Sequence, residues 1–208
     1  MLKCEFSMGL LKSIEKTKKM LGMMENVDVK SIARRLFVMN SFDGLLTSIG
    51  VIIGTHISGS KDPIVYIWAI VGGIITVGIF SNFIGVYMTE RAERINEVKE
   101  IEKHLLTELK NTYYEVFIKL VPIYIATWSM MGALFSLISI LPLILSLKGV
   151  ILLDHSLISS VVMSNIQIAF IGAYLGKISK ESVIKEAARF SLIGLSATAF
   201  LYIVSYVF

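Results

Sequence analysis

Two groups of side chains in this 208-residue chain are chemically equipped to handle a cation. The first is a run in which Glu90, Glu93, Glu97, Glu100, His104 and Glu108 recur every three or four residues, followed by Asn111 and Glu115. At 100° per residue they fall within an arc of about 80° on one helix, which predicts an acidic stripe containing a histidine. Carboxylates so spaced repel one another by roughly 0.2–0.5 kcal/mol per pair. A divalent cation would offset that repulsion, because Glu and His are ordinary ligands and imidazole favours transition metals over calcium and magnesium. The same spacing also reads as a solvated face whose neighbouring Lys and Arg form ion pairs.

The second group surrounds Asp43, which interrupts an apolar run from 33 to 57. About ten residues, or roughly 15 Å of helix, separate it from the start of that run, so a spanning helix carries the acid near the bilayer midplane. A charge at that depth costs about 3 kcal/mol or more unless it is neutralised, paired or bound to something. Its face is expected to continue through Asn40, Thr47, Gly50 and Gly54, with Met39 one turn before it. These residues, with Asn82 from the second run, predict an ion or proton path centred on Asp43. The other reading is an acid that stays protonated and hydrogen-bonds a neighbouring helix. Further seams at Gly78, Ser81, Asn82, Gly85, Met88 and Thr89, and at Ser156, Ser160, Met163, Gln167 and Tyr174, read first as close helix packing. Most methionines read as gap fillers; Met39, Met88 and Met163 alone sit where a soft ligand would be useful. His56, Asp62, Asp154 and His155 read as water-facing residues at the outer ends of spans.

The elements that must hold these residues are membrane helices. With 55% hydrophobic and 17% charged residues and a mean hydropathy of +0.73, the composition departs from that of soluble globular domains. Five apolar runs, at 33–57, 63–88, 121–147, 150–176 and 188–208, are each long enough to cross a bilayer as a helix. The expected fold is therefore an all-α polytopic membrane protein with five transmembrane helices and a cytoplasmic helical extension between spans 2 and 3. Its parts are a basic amphipathic segment at 1–32, spans 1 and 2 within 33–88, the acidic-striped segment at 89–120, and spans 3 to 5 within 121–208. The first segment reads either as a helix lying on the membrane surface or as a tail with no chemistry. Short links after the first and third runs predict antiparallel hairpins, and Pro142 is expected to bend or stop its helix. The single Cys4 has no partner for an intramolecular disulfide, and no cleavable secretory signal is expected.

Basic residues set the expected orientation. Residues 1–35 hold eight, 89–120 six and 177–189 four, whereas the opposite side holds only Lys61 and Lys148. This places the N-terminus and the acidic segment in the cytoplasm and the C-terminus outside.

Asp43-Gly44 in the first span, a Glu-rich helix continuing the second, and Ser81, Gly85, Tyr87 and Thr89 together resemble the vacuolar iron transporter family. Ile140-Leu141-Pro142, the stretch Gly172-Ala173-Tyr174-Leu175-Gly176-Lys177, and Ala188-Arg189-Phe190-Ser191-Leu192-Ile193-Gly194 through Tyr202 follow in matching order. The resemblance runs from about residue 31 to the C-terminus. Asn82 stands where that family commonly has methionine, Val86 where it has glutamate, and Ile95 where it has aspartate. The resemblance implies a homodimer with its path between protomers, exporting Fe(II), with Mn(II) as second candidate, in exchange for protons. It makes Asp43 a metal ligand within the path. A two-fold axis would bring two such acids together, and a divalent cation can displace protons from paired acids.

The chain is thus expected to be no enzyme, to bind no permanent cofactor and no nucleic acid, and to have the bilayer, a divalent metal ion, protons and a second copy as partners. A plasma membrane is the expected location in a prokaryote and a vacuole-type membrane in a eukaryote. A non-transporting membrane scaffold or metal-responsive regulator is the alternative from another class.

Overall fold

The computed structural model describes residues 27–106 and 113–207, and among these every regular element is helical. Helix α1 runs Val27–Ile57 and α2 Pro63–Ile75. A π-helical segment, Thr76–Gly85, leads without a turn into α3, Val86–Leu105. Helix α4 (Tyr113–Phe135) passes through a 3₁₀ segment, Ser136–Ile140, into α5 (Leu141–Leu147). Helices α6 (Leu153–Ser179) and α7 (Val183–Val207) complete the bundle. Five stretches are long and apolar enough to span a membrane: Asp28–Ile57, Pro63–Leu105, Phe117–Leu147, Leu153–Ser179 and Val183–Val204.

Local chemistry explains the connections. Gly59 sits at φ +79 in the α1–α2 turn and Gly149 at φ +71 in the α5–α6 turn, conformations that glycine adopts without steric cost. Asp62 caps α2 by accepting from the Ile64 N–H at 3.0 Å, and Pro63 occupies the first turn, where its missing N–H costs nothing. Both expected hairpins are present. The third run is not one regular helix, because Pro142 cannot donate to the carbonyl one turn back and the preceding residues tighten into the 3₁₀ segment. There Ser136 donates to the Ala133 carbonyl at 2.6 Å and Ser139 to that of Ser136 at 2.8 Å. The extension after span 2 is continuous with it, forming a single 43-residue rod from Pro63 to Leu105. Most of the 1–32 segment lies outside the described residues, as do Glu108 and Asn111.

Helix α1 is the pillar around which the others pack. Near its start Val29 and Ala33 meet Val121 and Ile125. Halfway along, Val38, Leu45 and Ile49 meet Ile168 and Ile171. Towards its end Ile52 joins Tyr66, Ile70, Ile74, Ile140, Leu143 and Leu157. Within lipid, apolar burial does not drive helices together, so close backbone approach must. A Cβ added at Gly44 would sit 2.6 Å from Ser136 Oγ and 3.1 Å from the Ala133 carbonyl oxygen, and one at Gly132 would strike the Phe37 carbonyl. Gly44→Ala is therefore expected to destabilise the bundle by about 1–3 kcal/mol, the usual range for overpacking. Gly54→Ala, where nothing lies within 4 Å, should leave it unchanged. Thermal unfolding of the two variants in detergent checks this, and equal midpoints would show that α1 and the 3₁₀ segment separate freely.

Candidate functional site

Asp43 lies at the centre of α1, 43 − 28 = 15 residues from one end of its membrane-spanning stretch and 57 − 43 = 14 from the other. Its side chain is exposed, whereas Gly44 beside it is buried against the 3₁₀ segment. The Asp-Gly pair thus divides its labour: the glycine fixes the helix and the acid points away from the bundle. Met39, 53% exposed, lies one turn before it on the same outward strip. Thr47, half-buried one turn beyond, donates to the Asp43 carbonyl at 2.8 Å. On one side of the strip the Thr47 methyl lies 3.9 Å from where a Gly73 Cβ would stand. On the other, Phe42 meets Phe190 edge-on at 6.1 Å and Leu201 borders Gly50. Asp43 therefore lies on an outward strip between the span-2 rod and α7, exposed among the described residues.

Asn40 does not share this face. Its amide turns inward and donates to Ser129 Oγ at 2.6 Å, and Ser129 donates to the Asn82 carbonyl at 3.2 Å. Asn40, Ser129 and Asn82 are all buried, so α1, α4 and the π segment meet at a polar knot inside the bundle. The Asn82 Nδ2 has no hydrogen-bond partner there. The five residues expected to form one path thus separate into an outer set, Asp43, Met39 and Thr47, and an inner pair, Asn40 and Asn82. Ser129 completes the inner set, and its position within an apolar run carried no periodic signal. An unmet buried donor costs about 1–3 kcal/mol. Asn82→Leu is therefore expected to leave the unfolding midpoint at or above that of the parent, whereas Asn40→Leu lowers it through loss of an interhelical bond worth about 1 kcal/mol. A midpoint that falls more for Asn82→Leu than for Asn40→Leu would contradict this.

Of the expected stripe, Glu90, Glu93, Glu97, Glu100 and His104 lie on α3, but that helix ends at Leu105, where Leu106 turns left-handed at φ 53, and Glu115 falls on α4. One helix therefore does not carry the whole stripe, and a cation already stands within it. Arg94, only 8% exposed, reaches both Glu97 carboxylate oxygens at 2.8 and 2.7 Å and Glu90 at 3.4 Å. Its guanidinium also lies 5.5 Å from the centre of the Phe117 ring, tying α3 to the base of α4. One guanidinium nitrogen, Nη1, donates to both Glu97 oxygens and the other, Nη2, to Glu90, so the guanidinium bridges two carboxylates, one a turn before it and one a turn after. Glu93, Glu100 and His104 are exposed along the same helix. Among the described residues no three His, Cys, Asp or Glu side chains are gathered closely enough to hold a metal ion. At the far end of the bundle His56 and Asp154, expected as water-facing residues, line a mostly apolar cavity of about 650 Å³ together with Thr198 and Tyr202.

Fold and surface together define an integral membrane protein of five apolar helices that carries an acid on the outer face of its central span. No family model matches the chain. It is 35% identical over 155 residues to the uncharacterized protein MJ0645 of Methanocaldococcus jannaschii, a match covering 72% of this chain and 76% of that protein. The chain belongs to the same family as this archaeal protein.

Proposed function

We propose that the protein is a transporter of a divalent transition metal, Fe(II) or Mn(II), that works as a homodimer and moves the ion out of the cytoplasm in exchange for protons. The observation that carries the reading is the exposure of Asp43 at the midpoint of α1. A carboxyl group facing lipid at that depth is costly, and a second copy apposed across a two-fold axis would cover it with its own Asp43. The unfilled space beside Gly72, exposed on the span-2 rod next to the Gly73 that faces Thr47, suits close approach of another helix. Two facing carboxylates bind one divalent cation or hold protons in its place, which is the elementary requirement of exchange. Eighteen basic residues at one end against two at the other support a cytoplasmic N-terminus and a cytoplasmic end of α3. The resemblance to vacuolar iron transporters at Asp43-Gly44 points the same way.

A second reading, a metal-responsive or scaffolding membrane protein without transport, draws on Arg94, whose guanidinium occupies two carboxylates of the stripe. Proteoliposomes carrying the full chain and a pH gradient separate the two. Uptake of Mn(II) or Fe(II) that collapses with the gradient is expected; absence of uptake of both ions in either direction of the gradient leaves the scaffold reading.

A further inference from the structure

At the end of the bundle where α1 begins, a pocket of about 470 Å³ opens where α1, α4 and α6 meet. Lys30 and Arg34 line it from α1, Tyr124 and Trp128 from α4, and Tyr174 from α6, with Phe37 at its inner end. Its aromatic wall is already assembled: Phe37 meets Trp128 edge-on at 5.8 Å and Tyr124 meets Trp128 at 6.3 Å. Trp128 and Tyr174 are nevertheless 39% and 42% exposed. Among the described residues the lining contains no carboxylate. Lys30 has an interaction of its own. The Arg34 guanidinium, the two tyrosine hydroxyls and the Trp128 N–H engage no acceptor among the described residues.

Depth identifies the occupant. Arg34 lies 34 − 28 = 6 residues inside the first membrane-spanning stretch, and Tyr124 and Trp128 lie 7 and 11 residues inside the third. A site within that layer is filled from the membrane. Tyr124 and Tyr174, 132 − 124 = 8 and 174 − 166 = 8 residues from the midpoints of their stretches, stand at the interfacial level that borders lipid headgroups. Trp128 lies one turn deeper beside the acyl region, and basic pockets between spans recognise anionic headgroups. An arginine fork beside several N–H and O–H donors matches the oxygens of a phosphodiester, and the apolar inner end matches an acyl chain. We propose that this pocket is a binding site for an anionic phospholipid, with its phosphate held by Arg34 and its chain laid along Trp128 and Phe37. The site is separate from Asp43 and does not depend on the transport reading.

Trp68 and Trp128 are the two tryptophans in the chain, so Trp68→Phe makes Trp128 the sole indole reporter. The full-length variant, reconstituted in phosphatidylcholine vesicles, is titrated with phosphatidylglycerol or phosphatidylcholine brominated on the acyl chain. Half-maximal quenching is expected at a phosphatidylglycerol fraction about fivefold lower than the phosphatidylcholine fraction, the selectivity one basic residue confers near a membrane surface. Arg34→Gln should bring the two curves together, and Arg34→Lys, which keeps the charge, should retain part of the separation. Trp128→Phe, which reports from Trp68 instead, serves as the control for general lipid access and should show no preference. Coincident curves with Arg34 present, or a preference that survives Arg34→Gln, would overturn the site. Loss of the preference on adding millimolar inorganic phosphate would overturn the membrane-borne occupant and leave a site for a soluble anion.

Discussion

Asp43→Asn is expected to reduce the proposed metal flux into proteoliposomes by at least about tenfold while leaving the unfolding midpoint intact. The substitution keeps the size and hydrogen-bonding shape of the side chain but removes the charge that a divalent ion needs, and loss of metal-site groups typically costs between about 10- and 100-fold. Gly44 keeps the helix seated against Ser136 in the variant, so the bundle itself has no reason to change. Because Asp43 is exposed, its neutral replacement should if anything sit more easily in an apolar setting. The same position reports on assembly. With Cys4 replaced by serine, Asp43→Cys leaves one thiol in the chain and should cross-link two copies through it. Flux at the parent rate in Asp43→Asn would remove the acid from the path. Failure of Asp43→Cys to cross-link in membranes, under conditions that oxidise an exposed control thiol, would place it away from a two-fold axis.

The second large effect is expected at Arg94. Arg94→Gln removes the ion pair with Glu97, the contact with Phe117 and the only cation close to Glu90 among the described ion pairs. The Glu90 side chain is 16% exposed and is left largely without water or partner, while that of Glu97, at 47%, regains solvent. Breaking a buried pair costs about 3–5 kcal/mol, and the exposure of Glu97 sets the expectation near about 3. For a chain of this size that lowers the unfolding midpoint by about 10 °C. Adding Glu90→Gln to the same variant should recover much of the loss, because no buried charge then remains alone. Metal binding should move in the opposite direction. With Arg94 gone, the Glu90 and Glu97 carboxylates are free to bind a cation, so Mn(II) should bind the detergent-solubilised variant more tightly than the parent, as measured by calorimetry. Unchanged binding would mean that the stripe is a solvated face rather than a collecting surface.

The number, order and approximate limits of the spans are legible in the amino-acid pattern, because apolar length alone decides them. The hairpins at Ser58–Asp62 and at Lys148-Gly149 follow from the same pattern and from turn chemistry. Depth of Asp43 is legible too; its direction is not. A wheel drawn at 100° per residue groups Asn40 with Asp43, yet Asn40 is drawn inward by Ser129 on a helix 89 positions away. The second span is harder still. Gly78 and Asn82 are buried while Ser81, Gly85, Met88 and Thr89 are exposed, so the expected seam splits between two environments. The π geometry from Thr76 to Gly85 changes the angular step along the helix, and nothing in local propensity marks where such a change begins. Arg94 was counted as a topological charge, and its capture of two stripe carboxylates depended on burial against Phe117, a residue on the next helix, 117 − 94 = 23 positions along the chain.

The fit of α1 has a mechanical consequence. Gly44 against Ser136 and Gly132 against Phe37 leave this helix no clearance to turn or slide, and other helices hold it along its length. In an exchanging machine it is the stator. In the proposed exchanger, motion that exposes Asp43 first to one side and then to the other falls to what borders Asp43 without gripping α1. That element is α7, of whose membrane-spanning window only 6% is buried, whereas the π segment is held to α4 by the Ser129 bond to the Asn82 carbonyl. Spin labels on α1 and α4 should accordingly keep one separation as metal and pH are varied, and labels on α1 and α7 should show two; a single α1–α7 distance under all conditions would rule out this division of motion.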